Sequence, residues 1–333
     1  MSEKIPFSTV LTALTNPDAN FPARFLKEFS DLPLADLAAL KVAWSKVDLT
    51  RKRNLLRDLN EEFRNNNLMS YDDIAQIFID DPDALVRAQA IRLLEESTSL
   101  QLLRRLVVMG EKDPDIGVRT EIATVLGQFV RLGEEDRVPA ALKKQVEEIL
   151  LKDVREETNP HLQRAALESL GYSSRPEVPA LLEAAFERPD TTWTASALLA
   201  ISRSYNGRWR DHVLVALNHE DTHVRQLAVE AAGELELKTA RQPLLNMLDE
   251  EEDEEVLEAI IWSLSQIGGE DVRDYLQSML DAATDEDLIE FISEALANLS
   301  FTEDLEGFDL MAYDPDEDDD LHELDDLDEA DQD

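Results

Sequence analysis

The stretch DDPDALVRAQAIRLL, residues 80–94, recurs in the same chain as KDPDIGVRTEIATVLG, residues 112–127, and as HEDTHVRQLAVEAAG, residues 219–233. In each, an acidic residue and a short turn lead into Val-Arg. Apolar or small residues then stand four, five and eight positions after the Val: Ala90, Ile91 and Leu94; Ile122, Ala123 and Leu126; Ala228, Val229 and Ala232. Such a one-sided stripe belongs to an amphipathic helix. Fainter copies open at Leu162, Trp193, Val256 and Leu288. The anchors Val86, Val118, Leu162, Trp193, Val224, Val256 and Leu288 are therefore separated by 32, 44, 31, 31, 32 and 32 residues. The spacing of 44 contains RLGEEDRVPAAL, residues 131–142, which reads as a longer loop plus a helix start.

A second apolar segment fills each gap: 100–109, 143–151, 177–186, 210–218, 240–250 and 271–280. Each repeat is thus a helix pair, and a lone pair cannot bury its apolar face unless neighbours stack on it. Asp83, Asp115 and Asp221 stand where they can cap the free amides of the anchored helix. Pro82, Pro114, Pro160 and Pro189 suit the tight entries. Gly127, Gly171, Gly233 and Gly268 read as C-terminal stops that need a left-handed residue.

The Asp-Pro-Asp…Val-Arg-x-x-Ala run at 81–90, repeated at 113–122 with Ile122 in place of the Ala, resembles the HEAT repeat family in its short variety, which includes the phycobilisome-lyase-like repeats. The resemblance implies an all-α fold: a right-handed α-α superhelix, a HEAT-like solenoid of about seven helix pairs. Residues 32–46 and 49–63 read as a degenerate capping pair, with Leu55 and Leu59 on its apolar stripe, and 69–80 as the first helix of the Val86 repeat. The expected organisation is a helical cap over 1–79 that is partly ordered at its start over 1–31, the repeat array over 80–301, and a disordered acidic tail over 302–333. In the family, Arg–Asp pairs tie the loops of adjacent repeats together. The resemblance gives that inter-repeat role to Arg87, Arg119 and Arg225 with Asp83, Asp115 and Asp221. The other reading of these arginines is a ligand-binding ladder.

Composition narrows the function. The 333 residues include 32 Lys+Arg, 73 Asp+Glu and no Cys, for a net charge of −41. Disulfides, thiolate metal sites and Cys nucleophiles are excluded. The negative charge argues against binding a phosphate backbone or an anionic membrane. No run is apolar for the roughly 20 residues a membrane span needs. The N-terminus has no apolar signal core, so the expected compartment is the cytoplasm. Charge grows along the chain, from −4 over residues 1–155 to −20 over 156–302 and −17 over 303–333. The last segment contains no base and reads either as a solubilising tail or as a linear motif built on Phe308, Leu310, Met311, Tyr313, Leu321, Leu324 and Leu327.

Catalytic signals are weak. HEDTH, residues 219–223, matches the His-Glu-x-x-His string of zinc proteases, but that motif needs one continuous helix and this string straddles a helix entry. Iron enzymes resembling deoxyhypusine hydroxylase place His-Glu pairs inside several repeat helices, whereas here His-Glu occurs only at 219–220 and 322–323. No Gly-rich phosphate loop is present. Tyr205, Arg208, Trp209 and Arg210 form a basic-aromatic island that either stacks a ligand or packs on a neighbouring repeat. We therefore expect no catalytic residue, no metal and no cofactor.

The expected function is a non-catalytic protein–protein interaction scaffold. The alternative is a HEAT-type enzyme, bilin lyase-like or metal-dependent. In the family the second helix of each pair lines the concave face. Positions two and six after each anchor lie off the apolar stripe: Ala88/Arg92, Thr120/Thr124, Arg164/Glu168, Ala195/Leu199, Gln226/Glu230, Glu258/Trp262 and Glu290/Glu294. Trp262, Glu230, Glu258, Glu290, Glu294 and Leu199 are the expected partner-binding residues, an aromatic anchor ringed by acids. They suit a basic or mixed-charge protein partner bound by a monomer. A rival occupant is the chain's own acidic tail, set against Arg51, Lys52, Arg53, Arg57 and Arg64.

Overall fold

A computed structural model describes residues 5–66 and 68–312, with side chains through residue 303. Helix α1 (Phe7–Thr15) and a 3-10 helix (Ala23–Phe29) come first. Eight pairs then follow, each an A helix and a B helix: α2 (Leu34–Trp44) and α3 (Leu49–Asn65); α4 (Asp72–Phe78) and α5 (Ala84–Arg92); α6 (Leu100–Lys112) and α7 (Ile116–Glu134); α8 (Ala140–Glu156) and α9 (Pro160–Leu170); α10 (Val178–Phe186) and α11 (Thr191–Ser202); α12 (Arg210–Ala216) and α13 (Thr222–Glu234); α14 (Arg241–Leu248) and α15 (Glu254–Ile267); α16 (Glu270–Ala282) and α17 (Glu286–Ala312). The described chain forms two compact units, one through Ser204 and the other from Tyr205. Within the first, α3, α5, α7, α9 and α11 pack side by side in chain order; within the second, α13, α15 and α17 do so. From α5 on, each B helix also packs on the A helix before it. The fold is an all-α array of stacked helix pairs.

One residue sets the register of every B helix. Asp48, Asp83, Asp115, Asn159, Asp190, Asp221, Asp253 and Asp285 each accept a hydrogen bond from a main-chain N–H two or three residues on. A helix start leaves amides without partners, and a short carboxylate or amide side chain satisfies one, for about 1 kcal/mol each. Three positions past the cap sits the anchor. Val86, Val118, Leu162, Trp193, Val224 and Val256 are all buried, as expected. Leu288 is not: it is 38% exposed, because no B helix follows α17 among the described residues.

Three of the four expected glycine stops have another job. Gly268 does adopt a positive φ of 76° and closes α15. Gly127 and Gly233 lie inside α7 and α13, and Gly171 at the end of α9 keeps an ordinary helical φ of −52°. What these positions require is space. A Cβ on Gly127 would stand 2.8 Å from Ser169 Oγ, one on Gly171 2.7 Å from Ala200 Cα, and one on Gly233 2.7 Å from Ser263 Oγ. Counting from the caps, each glycine is twelve positions in and its neighbour on the next B helix is ten positions in. Ser169 and Ser263 use the close approach to donate to the carbonyls of Ala123 and Val229, at 2.8 and 2.9 Å.

Three further expectations change. The insertion at 131–142 is not a long loop: it lengthens α7 and α8, leaving only residues 135–139 between them. The start of the chain is packed from Phe7 on. Val10, Leu14, Phe25, Leu26 and Phe29 are buried, and the Phe7 and Phe29 rings meet edge to face at 5.7 Å. At the other end α17 continues to Ala312, past the expected tail boundary at 302. The proposed motif residues Tyr313, Leu321, Leu324 and Leu327 lie outside the described residues.

Candidate interaction surface

Four positions past the cap, the register places Lys52, Arg87, Arg119 and Arg225 on α3, α5, α7 and α13. These cations bridge successive loops, but their acidic partners stand two residues before a cap rather than at the cap. Arg87 grips Asp113 with Nε and Nη2, at 2.9 and 2.8 Å, while Nη1 donates to the carbonyls of Asp81 and Pro82. Arg225 repeats the pattern on Glu251, at 2.9 Å from both nitrogens, and on the carbonyls of His219 and Glu220. Lys52 reaches Asp81 at 2.6 Å. The acid serves twice: Asp81, Asp113 and Glu251 also accept the N–H of the cap residue that follows. Asp83 has a second role as well, since Arg53 holds its carboxylate with two hydrogen bonds. Asp115 and Asp221 act as caps.

These rungs are structural. The Arg87 and Asp113 side chains are only 13% and 7% exposed, so little of either charge is offered to a ligand. Burial alone would lift the Asp81 carboxyl; hydrogen bonds from Lys52, the Asp83 amide and Trp44 Nε1 outweigh it and hold it below the usual carboxylate range. Trp44 in turn stacks on Phe78 with ring centroids 3.9 Å apart. Hydrogen bonds from Arg225 hold Glu251 low too.

The surface expected to meet a partner belongs to the second unit. Glu230, Glu258/Trp262 and Glu290/Glu294 sit at equal register on α13, α15 and α17, whose caps are 32 residues apart. Trp262 is 40% exposed, although Ile261 and Ser263 on either side of it are buried. Glu258, Glu290 and Glu294 are exposed. Glu230 is half-buried and bonded to Gln226, and burial lifts its carboxyl above the usual range, so it fits the acidic rim less well. Leu199 is half-buried on α11 in the first unit. Elsewhere the outward register fails. Ala195 is buried, and Glu168 accepts the Ser196 hydroxyl between α9 and α11. Arg92 pairs with Glu121 of the next B helix.

The HEDTH string is broken as its position suggested. α13 begins at Thr222, and His219 Nδ1 accepts the Asp221 N–H in the turn before it. In the basic-aromatic island, Trp209 is buried with His212 against its ring edge, whereas Tyr205 is 72% exposed. No helix among the described residues is long and apolar enough to cross a membrane.

Residues 210–297 match the family described as HEAT repeats. That stretch of the chain is a run of HEAT repeats. No curated protein sequence matches the chain. Among solved structures, it is similar to Escherichia coli YibA, at 17% identity over 86% of this chain and 98% of that one, with a TM-score of 0.46. It is also similar to human deoxyhypusine hydroxylase in complex with glycerol, at 17% identity over 78% and 95%, TM-score 0.34. A third is importin beta, at 15% identity over 89% and 51%, TM-score 0.31. At these scores the likenesses carry no functional information.

Proposed function

We propose that this protein is a non-catalytic scaffold that holds a basic or mixed-charge protein segment against α13, α15 and α17. The observation that carries the reading is Trp262, a large aromatic left open to solvent on α15 among the exposed carboxylates Glu258, Glu290 and Glu294. Aromatic anchors rimmed by polar groups supply most of the binding energy at protein interfaces. Charge supports it. Residues 205–303 contain 24 Asp+Glu and 6 Lys+Arg. Of those six, Arg210, Arg225, Arg241 and Arg273 are already paired with carboxylates of the same unit. A basic segment meets a field that its own unit leaves uncompensated, which speeds encounter and weakens with salt.

The test is affinity capture at low and moderate salt with the full chain and with a W262A/E258K variant. Salt-sensitive retention of a basic protein that the variant loses supports the assignment. Equal retention by both baits, or a bait that carries a bound metal or chromophore, overturns it.

A further inference from the structure

Three of the four tryptophans are buried, and each of these holds a cation of the same chain over its ring. Lys52 Nζ lies 4.9 Å from the ring centroid of Trp44, Arg188 Cζ 3.6 Å from that of Trp193, and Arg208 Cζ 5.1 Å from that of Trp209. At Trp44 a carboxylate completes a triangle. Asp81 pairs with Lys52 at 2.6 Å and accepts the indole N–H at 2.8 Å. A cation in that place is attracted from two sides, by the negative face of the ring and by the acid.

Trp262, the tryptophan left open to solvent, has the carboxylates without the cation. Glu258 stands one turn before it on α15, at the four-residue spacing that makes side chains neighbours. Glu290 and Glu294 stand at the matching register on α17, which packs on α15. All three acids are exposed, and no Lys or Arg among the described residues lies over the ring. The unit has none to spare. Arg210, Arg225, Arg241 and Arg273 are paired with carboxylates, Lys238 donates to the Ile267 carbonyl, and Arg208 covers Trp209.

We propose that Trp262 takes an arginine side chain of the bound partner, its guanidinium stacked on the indole and its N–H groups directed to Glu258 on one helix and to Glu290 or Glu294 on the other. The assignment rests on the scaffold reading and sharpens it: the partner segment presents an arginine at this point, not net positive charge alone. A guanidinium suits the place better than an ammonium. It is flat, so it lies on the ring while its edges donate in two directions. It is also weakly hydrated, so it gives up less water in stacking. An apolar side chain would cover the indole and bring nothing to the acids around it.

The experiment follows the indole N–H resonances of the full chain, labelled with nitrogen-15 at its four tryptophans. W262F identifies the Trp262 signal by removing it. The probe is the peptide acetyl-Ala-Ala-Arg-Ala-Ala-amide, titrated at moderate salt beside versions with lysine, citrulline or norleucine in place of the arginine. Citrulline keeps the shape of arginine without its charge, and norleucine keeps only an apolar stem. Reading Trp262 alone sets aside peptide that gathers on the acidic residues 303–333. The arginine peptide should shift the Trp262 signal saturably and leave those of Trp44, Trp193 and Trp209 in place. Citrulline and norleucine should bind at least about fivefold more weakly, with lysine between. E258Q/E294Q, unchanged in circular dichroism, should weaken the arginine peptide about fivefold. Three results overturn the assignment: lysine, citrulline or norleucine equal to arginine, no shift with any peptide, or full binding by E258Q/E294Q. The scaffold reading is judged apart from this, by the capture experiment, and a partner that W262A/E258K loses supports it whichever peptide prevails.

Discussion

Ser169 sits in the notch left by Gly127: its Oγ donates to the Ala123 carbonyl at 2.8 Å, and a Cβ on Gly127 would lie at the same distance from that oxygen. Ser263 and Gly233 repeat the relationship further along the chain, and Ala200 and Gly171 form a version without the hydroxyl.

Substituting alanine at these glycines sets two effects against each other. Alanine improves helix propensity by about 1 kcal/mol. Forcing a methyl into a filled site costs about 1–3 kcal/mol. Against Ser169 the clash is with a side chain that can rotate at the loss of its hydrogen bond, so G127A should cost about 1 kcal/mol net. Against Ala200 the obstacle is backbone, so G171A should cost about 3 kcal/mol. G207A, where nothing lies within 4 Å, should be close to neutral. Urea denaturation of the three variants gives the order directly.

Removing a rung cation should hurt more than its partial exposure suggests. Replacing Arg87 by Ala strands Asp113, and breaking a buried pair by deleting one partner costs about 3 kcal/mol. R87K should recover only part of this, because an ammonium cannot make the two-nitrogen grip and also reach both carbonyls. Replacing Arg87 and Asp113 together by apolar residues should cost less than R87A alone. High salt should leave R87A's deficit largely unchanged, since buried pairs are weakly screened.

Asp153 should destabilise the chain at neutral pH. Its folded carboxyl titrates near 6, above the reference value of 3.8, so the folded state holds the proton more tightly. That contribution is fully present below the unfolded value and is lost as the pH rises through about 6. D153N should therefore raise stability by about 2 kcal/mol above that pH and change little in strong acid. Glu157 runs the other way: its low carboxyl adds stability that disappears as the pH falls from about 4.5 toward 2. Melting curves of the native chain and D153N across this range separate the two.

Trp262 should be nearly silent in stability. A residue 40% exposed on a helix surface contributes little that the fold requires, so W262A should shift unfolding by less than about 1 kcal/mol. Its loss should show in partner retention instead, and that retention should fall with ionic strength.

The B helices were legible because their information is local. A capping Asp or Asn, an apolar anchor three residues later and a stripe at helical spacing fit within twelve residues, and all seven stretches with that pattern are helices in the structure. The glycines were misread because their reason lies elsewhere in the chain. Gly127 answers to Ser169, 42 residues away, and a glycine at a helix end looks the same from sequence whether it turns the chain or admits a neighbour. The rung partners were hidden in plain view: the first Asp of Asp-Pro-Asp accepts the arginine, while attention falls on the second, which caps. Within residues 131–142 the helix α7 absorbs Gly133 and runs to Glu134, and the proline, Pro139, stands only at the cap of α8. Of the expected binding residues, the exposure of Trp262 followed from its place off the stripe. The half-burial of Glu230 did not, because it depends on what packs against α13.

α17 departs from its predecessors at three register positions. Ile289 stands where α3, α5, α7 and α13 carry a rung cation, exposed Ser293 where α15 buries Ile261, and exposed Ala297 where α7 and α13 have their packing glycines. Those three differences amount to an engineering recipe. To graft a further helix pair onto this end, Ile289 would become Arg, Ser293 an aliphatic residue and Ala297 Gly, and the incoming unit would bring an acid two residues ahead of its cap and a small residue ten residues into its B helix. Lengthening the array is thus a matter of five defined side chains rather than a new interface.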